Sequence, residues 1–287
     1  MTTNRINPII SIDASYVYHM LSVAKCGYDN DYGSQHAHLH PPADLAVLKQ
    51  REHMLTVKGG EHMGMLYPLL VIFPAAMENA AQRYYGGAQY WFGLHGWDAP
   101  ADDVVAVSGV MVRNFDIFRE SVWSSIKAEL SAYAAKVQTA FEQNGLTAKL
   151  EGLVGIAPEY EMFHPIFTNS LSGGAEAIDV TDNRHIFGTG RDIASAVRFI
   201  AHEYIISLLK QALRGTEAFA LPMQHWLRIE SLAAYYYSKV FAGEHLFIKN
   251  RAFIEFYEGK NGTLAAKELF LAAVQEIKDL PGIDPNS

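Results

Sequence analysis

The chain has 287 residues, 49% of them hydrophobic and only 19% charged, so it can bury a large core, which excludes a disordered chain. A formal net charge of −8 excludes a broad basic face for nucleic acid or anionic lipid, and neither is expected as a partner. The single cysteine, Cys26, excludes an intrachain disulfide framework and a cysteine-rich zinc module, and it fits a reducing compartment.

The opening residues lack an apolar run followed by a small-residue cleavage pattern, so no signal peptide is expected. The longest apolar stretch, 64–77, is shorter than the roughly 20 residues of a spanning helix and carries Pro68 and Pro74. A cytoplasmic chain with no membrane contact is the expectation; oligomeric state is not readable.

In chain order, Tyr16, Val17, Met20, Leu21 and Ala24 recur at helical spacing, predicting a helix over 14–25 capped by Asp13 or Ser15 and ended by Cys26-Gly27. A polar loop closing on Pro41-Pro42 follows, and the pattern then predicts a helix over 43–56. Residues 61–85 read as helix broken by Pro68 and Pro74, and Gly86-Gly87 opens an aromatic loop holding Tyr90, Trp91, Phe92 and Trp97. A long amphipathic helix is expected over 116–143, stopped by Asn144-Gly145.

Past residue 150 the period shortens. KLEGLVGIAP, EYEMFHPIF, AEAIDVT and RHIFGT predict three or four antiparallel strands over 151–188. Helices are then expected over 192–214, 222–241 and 263–279. The fold class read from this pattern is α+β, mainly α: a helical part over 1–150, then a small antiparallel sheet packed on a helix over 151–287, either as two parts or as one continuous domain.

The chemistry concentrates in the last third. The segment 194–209 is apolar nearly all round, the mark of a helix buried on most sides, and its one strongly polar pair is His202-Glu203. A buried imidazole or carboxylate costs several kcal/mol without a partner, so the apolar setting, not the dipeptide, carries the information. On the next expected helix Glu230 shares a face with Trp226, Leu227, Ala233, Ala234 and Tyr237, which aims a carboxylate into an apolar seam. Arg198 lies four residues before His202 on the same face, placed to meet a substrate or to compensate buried carboxylates.

A strand pair, then a helix with AHEYIISLL, then a helix with HWLRIESLAAYYYS, resembles the gluzincin branch of zinc metallopeptidases over roughly residues 150–245. The resemblance implies a zincin-like fold, zinc as cofactor, and a peptide or small-molecule substrate. Carried over by position, His202 matches the first metal ligand, Glu203 the general base and Glu230 the third ligand, with Tyr237 available to an oxyanion. The HExxH motif is degenerate, because Ile206 stands where the second histidine belongs. His164, His185 and His225 are the histidines weighed as substitutes for it.

Three functions stay open on this reading. One is a divergent hydrolase with His202, Glu203 and Glu230 lining its pocket; another is an inactive pseudopeptidase used for binding or assembly; a third is a metal-independent lyase or cyclase. Separately, His36, His38 and His40 would share one face if extended, a metal clip or a surface loop.

Overall fold

The structure is a computed structural model. It describes residues 5–28, 30–55, 86, 87, 89, 93, 101–171, 178–181, 183–213, 229, 232, 233, 236, 237 and 239–241. Among these the chain is mainly helical with one small sheet. It forms two compact units.

One unit takes the described residues of Pro8–Lys136 and His164–Asp192. Helix α1, Ile12–Val23, is capped by Ser11, whose side chain accepts from the Ala14 amide, so the cap precedes both residues expected to supply it. Every residue from Asp13 to Val23 is buried, which makes α1 a central helix and not a surface stripe. Lys25 at φ 54° and Gly27 at φ 72° turn the chain away, as the Cys26-Gly27 stop predicts.

Helix α2, Asp31–His36, crosses close to α1: a Cβ on Gly33 would collide with the Ser22 backbone carbonyl, so only glycine fits there. A 3₁₀ turn, Ala37–Leu39, leads to α3, Pro42–Gln50, and α4, Glu52–Leu55, which together cover the described residues of the helix expected over 43–56 with a break at Arg51.

The helix expected over 116–143 begins earlier. Helix α5, Ala101–Phe118, passes through a π turn, Arg119–Trp123, into α6, Ser124–Asn144. Valines lower helix propensity at its start, yet Val104, Val107, Met111, Phe115 and Phe118 form one buried stripe, and packing decides. The expected aromatic loop is helical at its four described residues, Gly86, Gly87, Gln89 and Gly93. Tyr90, Trp91, Phe92, Trp97 and the helix expected over 61–85 lie outside the described residues.

The sheet has β1, His164–Thr168, β2, Ile178–Thr181, and β3, Arg184–Gly188, in the order β1-β3-β2. β2 and β3 pair antiparallel as expected, but β1 pairs parallel with β3, Ile166 opposite Ile186, so the sheet is mixed. The reason does not lie in the strand's own residues. β1 is reached from a helix, not from a hairpin, and a segment far back in the chain also meets it, Ile9 bridging Ile166.

The other unit takes the described residues of Met1–Asn7, Val137–Phe163 and Ile193–Ser287. The strand expected over KLEGLVGIAP is instead helix α7, Leu146–Val154. Its ends are set by Gly145 and Gly155, both left-handed, and Leu146, Leu150 and Val154 bury at a spacing of four, which short-window alternation misread. Helix α8, Ile193–Leu213, matches the expected 192–214 within a residue at each end. Ile229, Leu232, Ala233, Tyr236, Tyr237, Lys239 and Val240 are helical, in keeping with the later part of the helix expected over 222–241; residues 222–228 and the helix expected over 263–279 lie outside the described residues.

Candidate functional site

Helix α8 is buried on all sides from Phe199 to Leu209, as its unbroken apolar pattern predicts. One polar stripe on it is tied to neighbours within its own unit. The Tyr204 hydroxyl donates to Glu151 Oε1 at 2.6 Å, an oxygen that Arg5 Nε also meets at 3.0 Å. Ser207 Oγ lies 2.7 Å from the Tyr160 hydroxyl, and Gln211 Oε1 accepts from the Glu159 amide at 2.7 Å. Burial, together with the hydrogen bond to Glu151, holds the Tyr204 phenol well above the ordinary tyrosine range.

His202 and Glu203 belong to a different face of α8. His202 is 1% exposed and Glu203 is 9% exposed. The His202 ring stacks on Phe199, one turn before it, at 6.4 Å and meets the edge of Tyr237 at 6.3 Å. Tyr237 in turn lies 4.6 Å from Phe241, and the Arg198 guanidinium sits 6.0 Å over the Phe241 ring. His202, Tyr237 and Arg198 are thus joined through one run of ring contacts, with Glu203 adjoining His202 in the chain. Glu230 and His225 lie outside the described residues; the neighbours of Glu230, Ile229, Leu232 and Ala233, are buried.

Ile206 is 5% exposed, one turn after His202. Its hydrocarbon side chain offers no donor at the place of the second ligand, so the described donor set does not fit a catalytic zinc ion, which takes three protein ligands. Among the described residues no group of three or more His, Cys, Asp or Glu is arranged to hold a metal ion. His164 and His185 fall in the sheet of the other unit, where His185 is fully buried and stacks on Phe187 at 6.5 Å.

Beside Arg198 the same unit opens a cleft of about 1160 Å³ between α7, α8 and the end of α6, with Lys239, Val240 and Phe241 closing it. Arg198, Lys149 and Lys239 line it together with apolar side chains. His202 and Glu203 do not line it.

The unit holding α1 contains a buried histidine pair, His19 and His40, whose partnership sequence reasoning missed. The HAHLH run does not extend; the 3₁₀ turn separates its imidazoles, so His36 is half-buried, His38 exposed and His40 buried. His40 joins His19 of α1, their Nε2 atoms 2.8 Å apart.

The direction of every hydrogen bond in this cluster follows from one amide. Asn114 Nδ2 donates to Asp44 Oδ2 at 2.8 Å and to the Val110 carbonyl at 2.9 Å, so its Oδ1 must accept, from His40 Nδ1 at 2.8 Å. Neutral His40 then accepts at Nε2 from His19, which accepts at Nδ1 from the Tyr32 hydroxyl at 2.8 Å. Tyr32, His19, His40, Asn114 and Asp44 form a one-way chain that ends on a carboxylate held by Arg113 at 2.5 Å.

Burial first, then His40 and His36, pushes His19 down to about 2, and burial lowers His40 against the opposing pull of Asn114 and Asp44. The Arg113 hydrogen bond, and after it that of Asn114, holds the Asp44 carboxyl below its usual range against burial. The signal available in the sequence was the one used for His202: a histidine midway along a helix that is apolar on most sides.

No family model, curated protein or solved structure matches this chain.

Proposed function

We propose that this chain is a divergent zinc-metallopeptidase-like protein whose metal centre has been closed at Ile206, and that it serves as a pseudopeptidase binding a peptide or small molecule. The observation that carries this reading is Ile206 itself, a buried hydrocarbon one turn beyond a buried His-Glu pair. Burying hydrocarbon there stabilises the helix packing and removes the donor that a zinc-bound water depends on. The open cleft supports binding over catalysis, because it is lined by Arg198, Lys149 and Lys239 and not by the acid-base pair.

Protein purified without chelator or histidine tag tests the reading. Less than about a tenth of an equivalent of zinc and no cleavage of a mixed peptide library are expected; a full equivalent with chelator-sensitive cleavage overturns it.

The second reading is a hydrolase, lyase or cyclase that works without metal, with His202 and Glu203 as acid-base groups and Tyr237 stabilising an oxyanion. Tyr237 standing edge-on to His202 favours it. Product formation that disappears in both His202→Ala and Glu203→Gln, with both variants folded, is what it requires.

A further inference from the structure

We infer that residues 31–40 form an acid-operated strap across α1: when the His19–His40 pair takes up a proton, the strap lifts off α1 while both of its ends stay anchored and the unit stays folded. Along the strap only Gly33 and His40 are buried; Asp31, Ser34, Gln35 and His38 are exposed and the rest are half-buried. Little hydrocarbon of its own holds it down, and a segment of that kind opens locally at a fraction of the cost of global unfolding. Rings hold it instead. Those of Tyr32 and His36 stand 5.6 and 5.8 Å from the His19 ring, and that of His40 stands at 5.0 Å.

The two buried rings hold one proton each, His19 at Nε2 and His40 at Nδ1, where Asn114 Oδ1 accepts it. A further proton has two places to go. At His40 Nε2 it would meet the His19 N–H head-on across 2.8 Å; at His19 Nδ1 it would meet the Tyr32 hydroxyl, which must then turn and give up the bond it donates. Either place puts a cation on a buried ring, at a cost of several kcal/mol. The neighbours do not remove that cost: His40 and His36 repel a charge on His19, and for His40 the attraction of Asp44 is opposed by His36 and His38. The 3₁₀ turn has split the imidazoles of the HAHLH run, so acid acts on separate rings and not on a metal clip. Lifting the strap hydrates the rings and lets them charge, so acid favours the open form. The ends are held by groups that keep their charge in the same range. Asn30 donates to the Ser170 carbonyl at 2.9 Å before the strap, and after it Asp44, its carboxyl held below the usual range, keeps Arg113 at 2.5 Å.

Hydrogen exchange of the full chain, read by mass spectrometry with labelling times scaled to the intrinsic rate and with or without sub-denaturing urea, tests the strap. Between about pH 7.5 and about pH 5.5 the protection of peptides covering 31–40 should fall about tenfold for each histidine that charges on opening. Urea should leave that fall unchanged, whereas amides of α1 should stay at least about tenfold better protected and respond to urea.

His19→Phe should remove about tenfold of the fall, and His40→Gln is read in the same way if His19→Phe folds poorly. Asn30→Ala, which loosens an end that does not titrate, should speed exchange of the strap at every pH without changing the fall. Strap and α1 amides that lose protection together, with the same response to urea, would assign the effect to global unfolding and overturn the inference. So would strap protection that does not change with pH, or a fall kept in full by the folded histidine variants. The zinc and peptidase measurements above fail or succeed independently of these.

Discussion

Two buried histidines in this protein are placed by opposite means. His19, in α1, sits in a directed chain in which each ring nitrogen has a named partner, Tyr32 on one side and His40 on the other. His202, in α8, is flanked by the rings of Phe199 and Tyr237 and followed one turn later by a buried Ile206. The first arrangement ties α1, α2, α3 and α5 into one polar network inside a core, which fixes their register as hydrocarbon packing alone does not. The second places a buried polar pair on a helix packed among aromatic rings and hydrocarbon. A histidine in an apolar helix therefore announces a partner, and only the partner says whether the role is architecture or chemistry.

The comparison breaks most sharply at Asn114. Asn114→Ala removes the amide that sets the direction of the chain, takes the acceptor from the buried His40 N–H and leaves Asp44 Oδ2 only the longer bond from Arg113 Nε at 3.4 Å. A loss of about 3 kcal/mol in urea unfolding is expected; a loss under about 1 kcal/mol would mean that water replaces the amide.

Acid is the next lever. The His19 ionisation is depressed in the folded protein to about 2 from an ordinary 6.5, so folding favours the neutral form. Its contribution is fully present above pH 6.5 and is lost as pH falls towards 2. Unfolding free energies from urea titrations taken from about pH 7.5 down to about pH 5 should fall by about 1.4 kcal/mol per pH unit below the midpoint of free histidine, with His40 adding in the same direction. His19→Phe should flatten that slope; an unchanged slope removes His19 as its cause.

On α8 the expected effect is smaller. Tyr204→Phe removes the phenol donor to Glu151, but Arg5 still meets the same carboxylate oxygen, so about 1 kcal/mol is expected by the same urea measurement. A loss as large as that of Asn114→Ala would erase the contrast between the two regions.

The smallest effect is kinetic. Burial, with Glu52 next and Lys49 opposing, pushes the Cys26 thiol up to about 12. Native protein at mildly alkaline pH should resist iodoacetamide, while urea-unfolded protein reacts at the rate of free cysteine. Because Cys26 is the sole cysteine, mass spectrometry reads this directly.

Legibility in the sequence followed the range of the interactions involved. Helix α8 was readable within a residue at each end, since an uninterrupted apolar run is a local property, and the same run exposed His202 and Glu203. Helix α7 was misread because nine residues between two glycines hold too few turns for a period of four to separate from alternation. The parallel pairing of β1 was invisible because it is decided by a segment far away in the chain, Ile9 against Ile166. The pairing of His19 with His40 escaped for the same reason: they lie 21 residues apart and meet only after a helix, a 3₁₀ turn and a cap have been built. The HAHLH run drew attention to imidazoles by their spacing, whereas the fold selected one of them by burial.

The claim at the centre is that one missing donor at position 206 separates this scaffold from a zinc centre. Native mass spectrometry of Ile206→His beside the unaltered protein, both loaded with one equivalent of zinc and then dialysed, tests it most directly, with Ile206→Leu as the control for packing. The account predicts retained, stoichiometric zinc in Ile206→His alone. Zinc retained by the unaltered protein, or by none of the three while Ile206→His remains folded, would contradict it.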